Sequence, residues 1–140
     1  MTRVNAGIKP EELCNSMLFA EYREIKRIPN KVKAGKYNPK SKIPEFFKLG
    51  TGHEFFFKDK LKYLSNRNGL LYRECIKRGM NVTDYSDCYK DLPDYLFNDW
   101  VGTKTARELL KQRINSRLEK TKDSIKFYNV VVTYQKALIK

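Results

Sequence analysis

Residues 49–81 read LGTGHEFFFKDKLKYLSNRNGLLYRECIKRGMN, and this stretch carries the clearest helical signal in the chain. Phe57, Leu61, Leu64, Leu71 and Cys75, with Phe56, Tyr72 and Ile76 beside them, form one apolar stripe at helical spacing. The pattern predicts a helix over residues 54–78. Gly79 follows Lys77-Arg78, and a residue free to adopt positive φ is a natural helix stop. Ahead of the helix, Gly50-Thr51-Gly52 reads as a turn. A lone Gly-x-Gly offering N–H groups to a phosphate is the weaker alternative, and His53 is expected only to hydrogen-bond within that turn.

Helical patterns extend on both sides. Pro10-Glu11-Glu12 marks a helix start, with proline suited to the first turn and carboxylates at the positive end of the dipole. Leu13, Met17, Ala20 and Glu24 then follow at spacings of four, three and four, so they share a face. Pro29 is expected to end or kink this helix. Residues 26–42 hold seven basic side chains and no acidic one, broken by Pro29, Gly35 and Pro39, and are expected to form a cationic loop or frayed helix end. A third helix opens at the capping-box pattern Thr105-Ala106-Arg107-Glu108 and runs to Lys120. Its inner stripe is Ala106, Leu110, Ile114 and Leu118, bordered by Arg113 and Arg117. Residues 125–134 have β-type propensity but no partner strand elsewhere, which predicts loop with one short helical turn. The expected fold is all-α: a single compact domain over residues 1–140, with three main helices and extensive loops.

Composition limits the chemistry. A formal charge of +13 over 140 residues points to an anionic partner, nucleic acid or an acidic membrane surface. The sequence lacks an apolar run long enough to span a bilayer, a signal-peptide h-region and a strongly amphipathic basic end segment, so nucleic acid is favoured over membrane. Cys14, Cys75 and Cys88 are odd in number without Cys-x-x-Cys spacing, and read as reduced thiols in a cytoplasmic protein that is not secreted. His53 is the sole histidine, which excludes a multi-histidine metal site and leaves a Ser-His-Asp centre unsupported. Asp84, Asp87, Asp91, Asp94 and Asp99 sit among turn formers and read as solvated loop rather than a magnesium site. No metal and no cofactor is expected.

The amino terminus offers a different kind of nucleophile. Thr2 is small enough for Met1 to be trimmed, which leaves a free α-amine. Such an amine titrates near pH about 8, so an appreciable fraction is neutral at physiological pH, whereas a lysine needs a large downward shift. Many chains begin this way, and the residue type alone does not establish chemistry. Glu24 is equally open, because exposed helical pairs with Arg23 or Arg27 are commonplace.

Three segments together carry a family resemblance: Met1-Thr2-Arg3-Val4-Asn5, then Ala20-Glu21-Tyr22-Arg23-Glu24 with Arg27, then residues 49–81. Within the last, Leu-Gly-x-Gly-His, Phe-Phe-x-Asp-Lys-Leu and Glu-Cys-x-Lys-Arg-Gly are the distinctive elements. The chain resembles the pyrimidine-dimer DNA glycosylase and abasic-site lyase family, the endonuclease V-like enzymes of T-even phages. The likeness continues more weakly through Gln112-Arg113 and Arg117 to Phe127-Tyr128, and fails mainly at residues 29–44 and in the Asp-rich loop.

The resemblance implies that the amine of Thr2 attacks the anomeric carbon of a damaged nucleotide. The base is expelled, an imine links protein to sugar, and elimination cuts the backbone on the 3′ side. It implies Glu24 as the catalytic carboxylate and places Arg3, Arg23, Arg27, Arg113 and Arg117 in the DNA-binding pocket. A carboxylate beside the reacting carbon can stabilise positive charge on the sugar and move protons, and forked guanidinium groups suit phosphate oxygens. The implied partner is double-stranded DNA containing a lesion, bound by a monomer in a host cell cytoplasm or nucleoid. The lysines of residues 26–42 are expected to supply diffuse, salt-sensitive attraction.

Several positions depart from the family pattern. Met17 stands where the phage enzyme has His, Arg117 where it has Lys, Ser124 where it has Trp and Ile125 where it has Tyr. These changes keep two alternatives open: a glycosylase/lyase for another damaged or modified pyrimidine, or a non-catalytic basic DNA-binding protein on the same scaffold.

Overall fold

The computed structural model describes residues 2–38 and 40–140. Expectations about Met1, including its removal, and about Pro39 in the basic segment lie outside the described residues. The chain is mostly helical and packs around one core, whose members run from Val4 near the amino terminus to Ile139 near the carboxyl terminus.

Pro10–Glu12 forms a short 3-10 turn, and the Glu12 carboxylate accepts from the Lys9 N–H at 2.8 Å. Helix α1 then spans Asn15–Ile25 and α2 spans Arg27–Lys33. The break therefore falls at Lys26, before Pro29. Proline is tolerated in the first turn of α2, where an N–H has no intrahelical acceptor. Part of the expected cationic loop is thus an ordered helix, with Ile28 and Pro29 buried beneath it.

The helix expected over residues 54–78 is divided. Gly52, at φ 91°, turns the chain into α3 (His53–Phe56), and a 3-10 turn follows at Phe57–Asp59. A Cβ at Gly52 would meet the Lys48 side chain at 3.2 Å as well as the strained backbone. Helix α4 begins only at Leu61 and ends at Lys77, with Gly79 in the left-handed region beyond it. Lys60 makes the break. Its backbone bridges to Phe97, and its ammonium binds Phe56 O at 2.9 Å and Asp59 Oδ1 at 2.8 Å. A long-range pairing has overridden a continuous helical pattern, while Leu61, Leu64, Leu71 and Cys75 remain buried against α1.

Helix α5 spans Lys104–Lys120 and buries the expected Ala106, Leu110, Ile114 and Leu118. Its cap is Thr103 rather than Thr105: the Thr103 hydroxyl accepts from Ala106 N–H at 3.0 Å. The tail differs from expectation. Strands β1 (Lys126–Phe127) and β2 (Val130–Val131) pair antiparallel, and α6 (Tyr134–Ala137) follows. The partner strand lies four residues away, across a turn with Tyr128 at φ 56°. Asn15 fixes that turn by bonding both Tyr128 O and Tyr128 N–H. In the Asp-rich region, Asp84 and Asp99 accept from nearby backbone N–H groups, as turn residues do.

Candidate functional site

The amino-terminal segment is not a loose end. Thr2, Val4, Ala6 and Ile8 are all buried, and every second residue faces the core. Polar contacts fix the intervening backbone. The Val4 N–H donates to His53 Nε2 at 3.0 Å, and the opposite ring nitrogen lies 2.9 Å from Lys48 O. Because Nε2 accepts, the ring proton resides on Nδ1 and is donated to Lys48. Burial, with a smaller effect of Arg113, lowers the His53 pKa and keeps the ring in this neutral form. His53, expected only to bond within its turn, holds the segment that presents Thr2.

Further along, Asn5 donates to Glu21 Oε1 at 2.9 Å, and Arg67 donates to Ile8 O at 2.8 Å. Arg67 also grips Glu21 through Nε at 2.6 Å and Nη2 at 3.0 Å. This buried pair ties the amino-terminal segment to α1 and α4 at once.

One helical turn beyond Glu21, Glu24 is also buried, at 3% exposure. Its hydrogen-bonding partner is Arg3, and Arg27 acts on it through charge. Glu24 Oε1 accepts from Arg3 N–H and Nε, each at 3.1 Å, and Oε2 accepts from Arg3 Nη2 at 2.7 Å. Burial pushes the carboxyl pKa up, but the hydrogen bonds and charge of Arg3, helped by Arg27, outweigh it. Glu24 is therefore held ionised, below the usual carboxylate value, and is fixed to the residue next to Thr2.

Beside this pair opens a recess of about 520 Å³ lined by Arg3, Ser16, Met17, Ala20, Arg117, Lys120 and Thr121. A smaller cavity shares Arg3, Met17, Ala20 and Arg117 and adds Asn5, Glu21 and Arg113. Among the described residues, Arg113 and Arg117 form no ion pair. Burial, and then the positive charges of Arg117 and Arg3, lower the Arg113 pKa. Cations converge here beyond what local carboxylates balance, which is the electrostatic signature of an anion site. A second recess, about 330 Å³, is lined by Lys26, Arg27, Asn30, Lys31, Ala34 and Lys36.

Residues 1–87 match the family model described as pyrimidine dimer DNA glycosylase. The chain belongs to the pyrimidine dimer DNA glycosylase family. Membership implies DNA glycosylase activity on pyrimidine dimers and a damaged-DNA substrate. Among the described residues, no helix is long and apolar enough to cross a membrane.

The glycosylase fold gathers some sequence-nominated residues and separates others. Arg3 and Glu24 form a single cluster beside Thr2, and Arg113 and Arg117 border the same recess. Met17 and Ala20 form part of its wall, as their spacing with Glu24 required. Arg27 lies on the second recess, yet its charge still reaches Glu24. Arg23 is exposed over the Phe19 ring, 5.8 Å from its centroid, and lines neither recess. From the sequence, His53 is expected only to bond within its turn, with no sign of its hold on Val4 or of the Glu21–Arg67 pair. The Leu-Gly-x-Gly-His element held a signal for His53, but the Arg67 pairing spans 46 positions and left no local trace.

Proposed function

We propose that this family member is a DNA N-glycosylase and abasic-site lyase acting on cyclobutane pyrimidine dimers, with the α-amine of Thr2 as nucleophile after Met1 is removed. The observation that carries this reading is the buried, ionised Glu24, hydrogen-bonded to the backbone and side chain of the residue following Thr2. The neutral amine adds to the anomeric carbon, and the glycosidic bond breaks with its electron pair leaving on the pyrimidine. The nitrogen passes one proton to the departing pyrimidine and a second to the ring oxygen O4′ as the C1′–O4′ bond breaks, which leaves an imine. Loss of a C2′ proton then expels the 3′ phosphate, and water returns the amine. Glu24 stabilises the cationic sugar in the first stage and accepts the C2′ proton in the second.

Arg3 links binding to chemistry. While it is paired with Glu24 it offsets the carboxylate's charge. A phosphate in the recess competes for the same guanidinium, so DNA binding strengthens the field of Glu24 at the sugar. Arg113 and Arg117 hold the phosphates flanking the lesion, while Arg27 and the lysines of the second recess extend the basic track. Damaged base pairs resist opening least, which favours lesions over intact duplex.

A second reading, in which the preferred lesion is another damaged pyrimidine, draws on Met17. This apolar side chain lines the recess, where an imidazole would contribute a hydrogen bond.

Borohydride trapping tests the mechanism. Met-trimmed protein on duplex DNA with one thymine dimer is expected to yield a covalent adduct that maps to Thr2. Absence of an adduct on the dimer, with one on another pyrimidine lesion, transfers the reading to that substrate. Absence on all of them leaves a basic DNA-binding protein.

A further inference from the structure

We propose that Glu54 is a positioning residue for the amino-terminal nucleophile, accepting a hydrogen bond from the Thr2 hydroxyl. This rests on the reading of Thr2 given above. Glu54 follows His53 on α3, so the residue that pins Val4 and the one facing Thr2 are consecutive. Glu54 Oε1 accepts from Lys31 Nζ at 2.6 Å and from Tyr37 Oη at 2.8 Å. Both bonds fall on one oxygen, and Oε2 has no donor among the described residues. The Thr2 hydroxyl shows the opposite deficit: its oxygen is buried and has no hydrogen-bond partner among the described residues.

The two groups already sense each other. Burial raises the Glu54 pKa, but Lys31, Tyr37 and the Thr2 hydroxyl together bring it below the usual carboxylate value. Glu54 senses the Thr2 hydroxyl, although no hydrogen bond joins them in the folded chain. A buried hydroxyl without a partner gains by pairing with an open carboxylate oxygen.

Removal of Met1 gives the contact its purpose. Arg3 is fixed by Glu24 and Val4 by His53, but the new terminal residue loses the peptide bond that restrained its nitrogen. A hydroxyl bond to Glu54 fixes the Thr2 side chain and, through Cα, the direction of the amine lone pair. Lys31 balances the acceptor's charge, so the carboxylate holds the hydroxyl without strongly favouring a protonated amine.

A double-mutant cycle decides the matter: Thr2→Val, Glu54→Gln and both together, in the full Met-trimmed chain. The readouts are single-turnover borohydride trapping on duplex DNA with one abasic site, and affinity for undamaged duplex. Each single variant is expected to slow trapping by roughly tenfold to a hundredfold, with DNA affinity unchanged, and the double variant to be no slower than either. Wild-type trapping by a folded Glu54→Gln variant overturns the proposal, as do multiplicative losses in the double variant. If Glu54→Gln does not fold, Tyr37→Phe replaces it in the cycle. It should then give a smaller loss that vanishes in the Thr2→Val background, and an undiminished loss there counts against the proposal. Failure of the wild type to trap at Thr2 is a different result, because it overturns the function on which this role depends.

Discussion

Glu21 and Glu24 lie three residues apart on one helix, and both are almost wholly buried. Their surroundings differ in one respect. Glu21 is held by Arg67 and Asn5; it lines the small cavity with Arg113, but its side chain is wholly shielded and its charge is balanced by Arg67. Glu24 is also saturated, but by Arg3, which reaches the larger recess, where Arg117 and Lys120 add positive charge and no carboxylate lines the wall. The difference separates architecture from chemistry. A balanced buried pair gains nothing from a ligand, whereas an imbalance of cations around an ionised carboxylate is relieved by a bound phosphate.

The sharpest way to break the comparison is to neutralise each carboxylate. Glu24→Gln is expected to lower single-turnover base release by about 10²–10⁴-fold while leaving duplex affinity near wild type, as measured by fluorescence anisotropy. Unchanged base release would remove Glu24 from the mechanism. Glu21→Gln should act on the fold instead. Leaving Arg67 buried without its partner is expected to cost about 3–5 kcal/mol, read as a lower urea midpoint, with folded molecules still active. A large activity loss in fully folded Glu21→Gln protein would dissolve the distinction.

The cationic side of the recess predicts a graded effect. Arg113→Ala and Arg117→Ala should each weaken DNA binding and flatten the plot of log affinity against log salt by about 0.9 per lost phosphate contact. An unchanged slope for both would mean that the recess does not hold the backbone.

Smaller still are the pH effects on stability. The folded pKa of Glu24 lies below the ordinary carboxylate value of 4.5, so its contribution is complete above that value and is lost as pH falls through the lower folded one. His53 acts in a higher window: with its folded pKa below 6.5, stability declines once pH falls beneath 6.5 and the unfolded chain takes up a proton first. Thermal melts across pH should show both stages, and His53→Gln should abolish the upper one. The least effect belongs to Lys36→Ala, an exposed position, which should reduce affinity slightly and equally for damaged and intact duplex.

How much was legible beforehand varied with the range of the interactions. The inner stripes of α4 and α5 were readable because burial on a helix repeats every three or four residues. Met17, Ala20 and Glu24 could be placed on one face for the same reason. Thr103 displaced the expected cap although only Thr105 has a glutamate three residues on, because either hydroxyl can accept the free N–H and the start of the helix is set by packing rather than by the motif. The tail hairpin was missed because its partner strand was sought at a distance rather than across a four-residue turn.

By itself, the sequence determined a basic, mostly helical chain, the Thr-Arg terminus, and the family to which residues 1–87 belong. The tertiary structure alone decided that Lys60 leaves the helix to meet Phe97, that Glu24 pairs with Arg3, and that His53 holds Val4. These outcomes depend on contacts between residues far apart in the chain. Local propensity is weak beside the cost of leaving a buried donor or charge unpaired, and only the folded chain determines which partner comes within reach.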